Sequence, residues 1–143
     1  MKVLTIKEPY ASIIMSGLKE YETRSWKTNY RGKIYIHASI KIDDDLKSRN
    51  DLQKLVYDNN ITLKPGYILC EAYLDDCIYM NDMFIKNVSD KEKMVGRYEL
   101  GRYAWHLSDI RVIEPVQAKG KLGIWNYDFD VKYIRRKKWV FQK

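Results

Sequence analysis

Gly17-Leu18-Lys19-Glu20-Tyr21-Glu22-Thr23-Arg24-Ser25-Trp26 is the stretch around which the other segments arrange themselves. Glu22, Arg24 and Trp26 alternate, so an extended strand puts them on one face and Tyr21, Thr23 and Ser25 on the other. Lys19 lies just upstream, where a helix ends and this strand begins. An ammonium, a carboxylate, a guanidinium and an indole then share one short surface. Two readings are open: a binding surface, or a solvated surface ion pair worth ~0–1 kcal/mol.

Upstream, Val3–Ile6 reads as a strand. Pro9 suits the first turn of a helix, where a missing N–H costs nothing. Ala11, Ile13, Ile14 and Met15 continue that helix, and Gly17 ends it. Downstream, Tyr30-Arg31-Gly32 turns the chain into Lys33–Ser39, which alternates cleanly. Ile34, Ile36 and Ala38 take the core face, and Lys33, Tyr35, His37 and Ser39 the other. A lone histidine is usually a structural hydrogen-bonding residue.

Asp43, Asp44 and Asp45 read as helix-capping carboxylates rather than metal ligands, because consecutive residues at a helix start diverge. Leu46, Leu52, Leu55 and Val56 give the helix a partial apolar stripe. Tyr67–Leu74 is a second alternating strand, with Ile68, Cys70, Ala72 and Leu74 on one face. Glu71 falls on the other with Tyr67, Leu69 and Tyr73, as an edge-strand glutamate would. Asn81–Val95 reads as one or two short helices, and Ser89 with Glu92 has capping-box spacing. Gly101–Leu107 is a strand with Tyr103, Trp105 and Leu107 on one face, and Pro115 is expected to break the run that follows. Lys119–Gly123 is a glycine loop without the spacing of a phosphate-binding loop. Ile124–Tyr127 closes the body. Strands and helices that do not alternate argue against a doubly wound sheet and for a small, bent mixed sheet or barrel with helices on its side.

The totals agree with one domain: 143 residues, with 12 Tyr and 4 Trp. Net charge is +7, but Val131–Lys143 contributes +6 through Lys132, Arg135, Arg136, Lys137, Lys138 and Lys143, leaving +1 for residues 1–130. This basic tail reads equally as a solubilising end or a polyanion contact. No apolar run is long enough to span a bilayer, and the N-terminus lacks a signal peptide's apolar segment, so a cytoplasmic protein with no membrane partner is expected. Cys70 and Cys77 are read as free thiols, and neither they nor the adjacent, diverging Asp75 and Asp76 form a metal site. No cofactor is expected.

Gly17-x-Lys19-x-x-Glu22-x-Arg24 resembles the signature of the ASCH family within the PUA-like superfamily. Glu8-Pro9-Tyr10-Ala11, Arg31-Gly32 with Ile36-His37-Ala38-Ser39, Gly101-Arg102-Tyr103-Ala104-Trp105 and Lys119-Gly120-Lys121-x-Gly123-x-Trp125-Asn126 resemble its other blocks, in the family's order, over residues 3–127. The resemblance implies an α+β, PUA-like fold: a small mixed β-barrel with flanking helices, formed by residues 1–130, with a basic tail over 131–143. It also implies a cleft beside the Lys-Glu-Arg motif and recognition of RNA, single-stranded nucleic acid or a modified nucleoside. The candidate site residues are then Lys19, Glu22 and Arg24, joined by Trp26, His37, Ser39, Tyr103 and Tyr10.

The alternative is a small metal-independent hydrolase with Lys19 and Glu22 as acid and base groups. In the family's acetylcytidine-deacetylating branch a lysine serves a threonine three residues on. Here Glu22 stands at that position, and the neighbouring Thr23 is expected on the opposite face. A ribonuclease would need Lys19, His37 and Glu22 to converge.

Overall fold

The computed structural model describes residues 1–134. Arg135, Arg136, Lys137, Lys138 and Lys143 of the basic tail therefore lie outside the described residues. In chain order the elements are β1 (Lys2–Glu8), α1 (Tyr10–Met15), β2 (Tyr21–Arg24), β3 (Gly32–Ile42), α2 (Asp45–Ser48) and α3 (Asn50–Asp58). They continue with β4 (Tyr67–Tyr79), α4 (Asp82–Asn87), α5 (Asp90–Met94), β5 (Tyr103–Gln117) and β6 (Ile124–Asn126). The six strands form one mixed sheet in the order β2-β5-β4-β3-β1-β6. Only β1 and β3 run parallel. Among the described residues no helix is long and apolar enough to cross a membrane.

The expected barrel is not closed, because β2 and β6 are sheet edges with no ladder between them. β1 pairs with β6 only as far as Leu4. Past that point Arg24 of β2 reaches β1 and donates from Nη2 to the Thr5 carbonyl at 2.9 Å. A side chain, not a backbone ladder, thus bridges β2 and β1.

The main core gathers Leu4, Ile6, Ile14, Ile34, Ile36, Cys70, Leu74 and Trp105. Burial of each large side chain contributes about 1.5–3 kcal/mol. Alternation predicted this face of β3. It did not predict that the other face is also covered: Tyr35 joins Val3, Ile68, Ile113 and Trp125 in a second cluster against which Phe129 packs. Ile68 belongs to this cluster rather than to the Cys70 face expected for it. The cause is an extra β4 residue at Leu69, where Ile68 and Cys70 pair with the adjacent His37 and Ile36, which inverts the side-chain alternation there.

β4 is an interior strand, so Glu71 is not an edge glutamate. Its buried carboxylate accepts from the Tyr35 hydroxyl at 3.1 Å and from the Tyr133 hydroxyl at 2.5 Å. Pro115 does not break β5 either. It lies in the stretch between the Ile68–Val116 and Cys70–Val112 pairs, where the register shifts and β4 demands no N–H from it. There β5 turns outward, Glu114 N donating to the Lys132 carbonyl and Ile134 N to the Val112 carbonyl.

Gly17 takes a φ of +86°, the left-handed conformation that glycine adopts without strain, and α1 stops as expected. Asn81 caps α4 through Phe84 N. At α5 the capping box forms by half. Ser89 Oγ accepts from Glu92 N, but the Glu92 side chain turns away from the helix and accepts from Glu20 N and Tyr21 N at the head of β2. That contact draws residues 92–98 against the strand carrying the motif.

Candidate functional site

Lys19 sits between α1 and β2, and the chain after α5 closes over it. Only 2% of the residue is exposed, and Nζ donates to the Val95 carbonyl at 2.5 Å. The Tyr10 ring lies 5.7 Å from Nζ. Gly96 adjoins it; a Cβ there would stand 2.6 Å from Tyr98 and 3.3 Å from Nζ, so this wall requires glycine. Burial lowers the Lys19 pKa, opposed by the negative charges of Glu22 and Glu92.

Glu22 and Arg24 do pair, Nε to Oε2 at 2.9 Å, with side-chain exposures of 12% and 17%. The guanidinium that donates to Glu22 and Thr5 also lies 5.3 Å from the Trp26 ring and 5.8 Å from the Trp105 ring. Trp26 is 46% exposed, edge-on to Trp105, whose Nε1 donates to the Trp26 carbonyl.

These residues line an open cleft of about 840 Å³. Of the candidates read from the sequence, Lys19, Glu22, Arg24, Trp26, Ser39 and Tyr10 all border it. The Tyr10 hydroxyl donates to Asp45 at 3.0 Å, and burial together with that carboxylate raises its pKa.

His37 and Tyr103 do not border the cleft. His37 is buried with both ring nitrogens engaged: Nε2 donates to the Ala118 carbonyl at 2.7 Å and Nδ1 meets Thr5 Oγ1 at 3.2 Å. The same Thr5 oxygen accepts from Trp125 Nε1 at 3.0 Å. The hydrogen-bonding role usual for a lone histidine is the one observed, and the Lys19–His37–Glu22 convergence needed for RNA cleavage is not formed. Tyr103 packs edge-on against Tyr79, 5.5 Å between ring centroids.

Thr23 was expected on the face away from the motif, yet it borders the cleft. β2 is a sheet edge, and the segment after α5 folds over it, so that Arg97 N donates to Thr23 Oγ1 at 3.2 Å. Sequence reasoning also missed Arg49, Arg97, Arg102, Asp43 and Asp45 as lining groups. Arg102 carried a signal, since it falls within the Gly101–Trp105 block; the others carried none. Six basic side chains (Lys7, Lys19, Arg24, Arg49, Arg97 and Arg102) thus face three carboxylates, Glu22, Asp43 and Asp45. No group of three or more His, Cys, Asp or Glu among the described residues is arranged to hold a metal ion.

The buried lysine makes stability pH-dependent. Its folded pKa lies below the unfolded value of 10.5. Between the two, the unfolded chain holds a proton that the folded chain has released, so raising the pH stabilises the fold. Below the folded pKa the cost of burying the charge is complete. Wild type is therefore expected to gain stability relative to Lys19→Met as pH rises from neutral toward the unfolded value of 10.5, wherever in that interval the folded lysine releases its proton. The raised tyrosines are common to both proteins and cancel in the difference. Urea midpoints of the two across that range check it; a difference that stays flat shows that Lys19 titrates as an exposed lysine does.

The model of the ASCH domain family matches residues 4–117. A 38-residue segment is 42% identical to the human activating signal cointegrator 1; it makes up 27% of this chain and spans 6% of that relative's length. Among solved structures, ASCH from Zymomonas mobilis superposes with a TM-score of 0.49 and 19% identity, covering 81% of this chain and 72% of the other. Two single-residue variants of it give the same TM-score and identity, with 74% and 72% of their chains covered.

Proposed function

The chain belongs to the ASCH domain family, and on that premise we propose that its cleft recognises single-stranded RNA or a nucleotide, one base stacking on Trp26 beside the Lys19–Glu22–Arg24 cluster. One observation carries the reading: a half-exposed indole borders a cleft whose basic side chains outnumber its acids. A base gains from an aromatic platform whatever its identity, and the excess cations attract the backbone. The Glu22–Arg24 pair orients the guanidinium, and Arg24 in turn supports the indole from one side.

In this reading residues 1–130 form the recognition domain, and the basic run toward the C-terminus adds sequence-blind attraction. Fluorescence anisotropy with labelled single-stranded RNA tests both parts. Trp26→Ala is expected to weaken binding by ~1–3 kcal/mol, roughly 5- to 150-fold. Deleting residues 135–143 is expected to flatten the salt dependence. Unchanged affinity in Trp26→Ala sinks the stacking site, and an unchanged salt slope sinks the role of the tail.

A second reading, hydrolysis of a modified nucleoside such as acetylcytidine, is favoured by the lowered pKa of Lys19 next to Glu22. In its neutral form a lysine takes a proton from water attacking an amide carbonyl, and Lys19 and Glu22 both border the cleft. Release of acetate from acetylcytidine that depends on Lys19 and Glu22 would put this reading first, and its absence removes it.

A further inference from the structure

We infer that the cleft takes its ligand as a phosphorylated nucleotide, not a bare nucleoside, and that Arg102 is the phosphate anchor; this rests on the nucleotide-binding reading above. The basic groups around the cleft are not equally free to meet an anion. Arg24 is paired with Glu22, Arg49 with Asp51 at 2.8 Å and Arg97 with Glu99 at 2.6 Å. Lys19 is spent on the Val95 carbonyl. Arg102 makes no salt bridge among the described residues.

Two carbonyls hold the Arg102 guanidinium instead. Nε donates to the Arg97 carbonyl and Nη2 to the Thr23 carbonyl, both at 3.1 Å. A guanidinium has five N–H groups in one plane. Those two contacts fix the plane and leave the Nη1 pair and one Nη2 hydrogen, the edge that grips a phosphate in bidentate fashion. Burial and the neighbouring Arg97 charge both press against the Arg102 cation, so an incoming anion relieves it. Lys7, the remaining lining cation, is exposed and offers a point charge on a flexible stem. It adds attraction but not geometry. An arginine already held in position loses little freedom on binding, which favours it as the anchor.

Isothermal titration of ribonucleosides, their 5′- and 3′-monophosphates, and dinucleoside monophosphates against wild type, Arg102→Gln and Arg102→Lys tests this. Wild type is expected to prefer a phosphorylated ligand roughly tenfold to hundredfold over its nucleoside. Arg102→Gln is expected to bring that ratio close to one, and Arg102→Lys to an intermediate value because it keeps the charge and loses the fork. A preference shared by the dinucleoside monophosphates assigns the contact to a bridging phosphate; one confined to the monophosphates assigns it to a terminal phosphate. Either result supports the anchor. Equal wild-type affinity for nucleosides and nucleotides overturns the inference while leaving base recognition intact. So does an Arg102→Gln variant that loses both classes by the same factor, which would mark a purely structural arginine. Failure of every ligand to bind wild type overturns the inference and the proposed function together.

Discussion

Arg24→Ala is expected to cost about 2–4 kcal/mol of folding stability, a little under the range for breaking a fully buried ion pair, because the Glu22–Arg24 pair keeps some contact with water. The substitution removes three things at once. Glu22 loses the guanidinium that balances its carboxylate. The Thr5 carbonyl loses the donor that bridges β2 to β1. Trp26 loses the cation stacked on its ring, and with it part of what holds the indole. RNA binding should fall along with stability, and Arg24→Lys should restore only part of either, since an ammonium cannot make the Nε and Nη2 contacts together. Urea denaturation at neutral pH, run beside the anisotropy titration, reads both. A loss below about 1 kcal/mol would return the pair to the class of solvated surface ion pairs.

Glu92→Ala should be as damaging, although Glu92 touches no ligand in the proposed site. Its buried carboxylate accepts from Glu20 N, Tyr21 N and the Tyr98 hydroxyl. Alanine leaves two backbone donors and a phenol without their acceptor, at about 1–3 kcal/mol each and less than additively, so a total near 3–5 kcal/mol is expected. The loss should be local before it is global. Amide exchange at Glu20 and Tyr21 should accelerate more than exchange in β3 and β4, because the contact fastens α5 to an edge strand. RNA affinity should also drop, since Val95, Gly96 and Arg97 form a wall of the cleft. Glu92→Gln retains one acceptor oxygen and should lose less. Wild-type exchange at Glu20 and Tyr21 in Glu92→Ala would show that β2 is held by its ladder to β5 alone.

The motif's chemistry was legible in one dimension. The alternation of Glu22 and Arg24 put them on one face, where they pair, and both partners are partly buried. The aliphatic face of β3, the end of α1 at Gly17 and the two short helices after Asn81 were likewise legible, because each depends on contacts between residues a few positions apart. His37 shows the limit. Alternation separated it from the aliphatic face, but Ala118, 81 residues away, had to arrive before its ring nitrogens had partners. Ile68 changes face because of an extra residue in β4 opposite β3, which leaves no mark in the hydrophobic pattern.

Local spacing therefore determined which groups travel together on β2, and the resemblance in the motif blocks pointed to the family. Only the fold decided that Lys19 is buried, that Thr23 reaches the cleft and that Arg97 and Arg102 stand over it. The physical reason is distance along the chain. A strand's periodicity is enforced by its own backbone, whereas the cleft exists because Glu92 and Val95 are brought back to residues 19–21 across more than seventy positions of sequence.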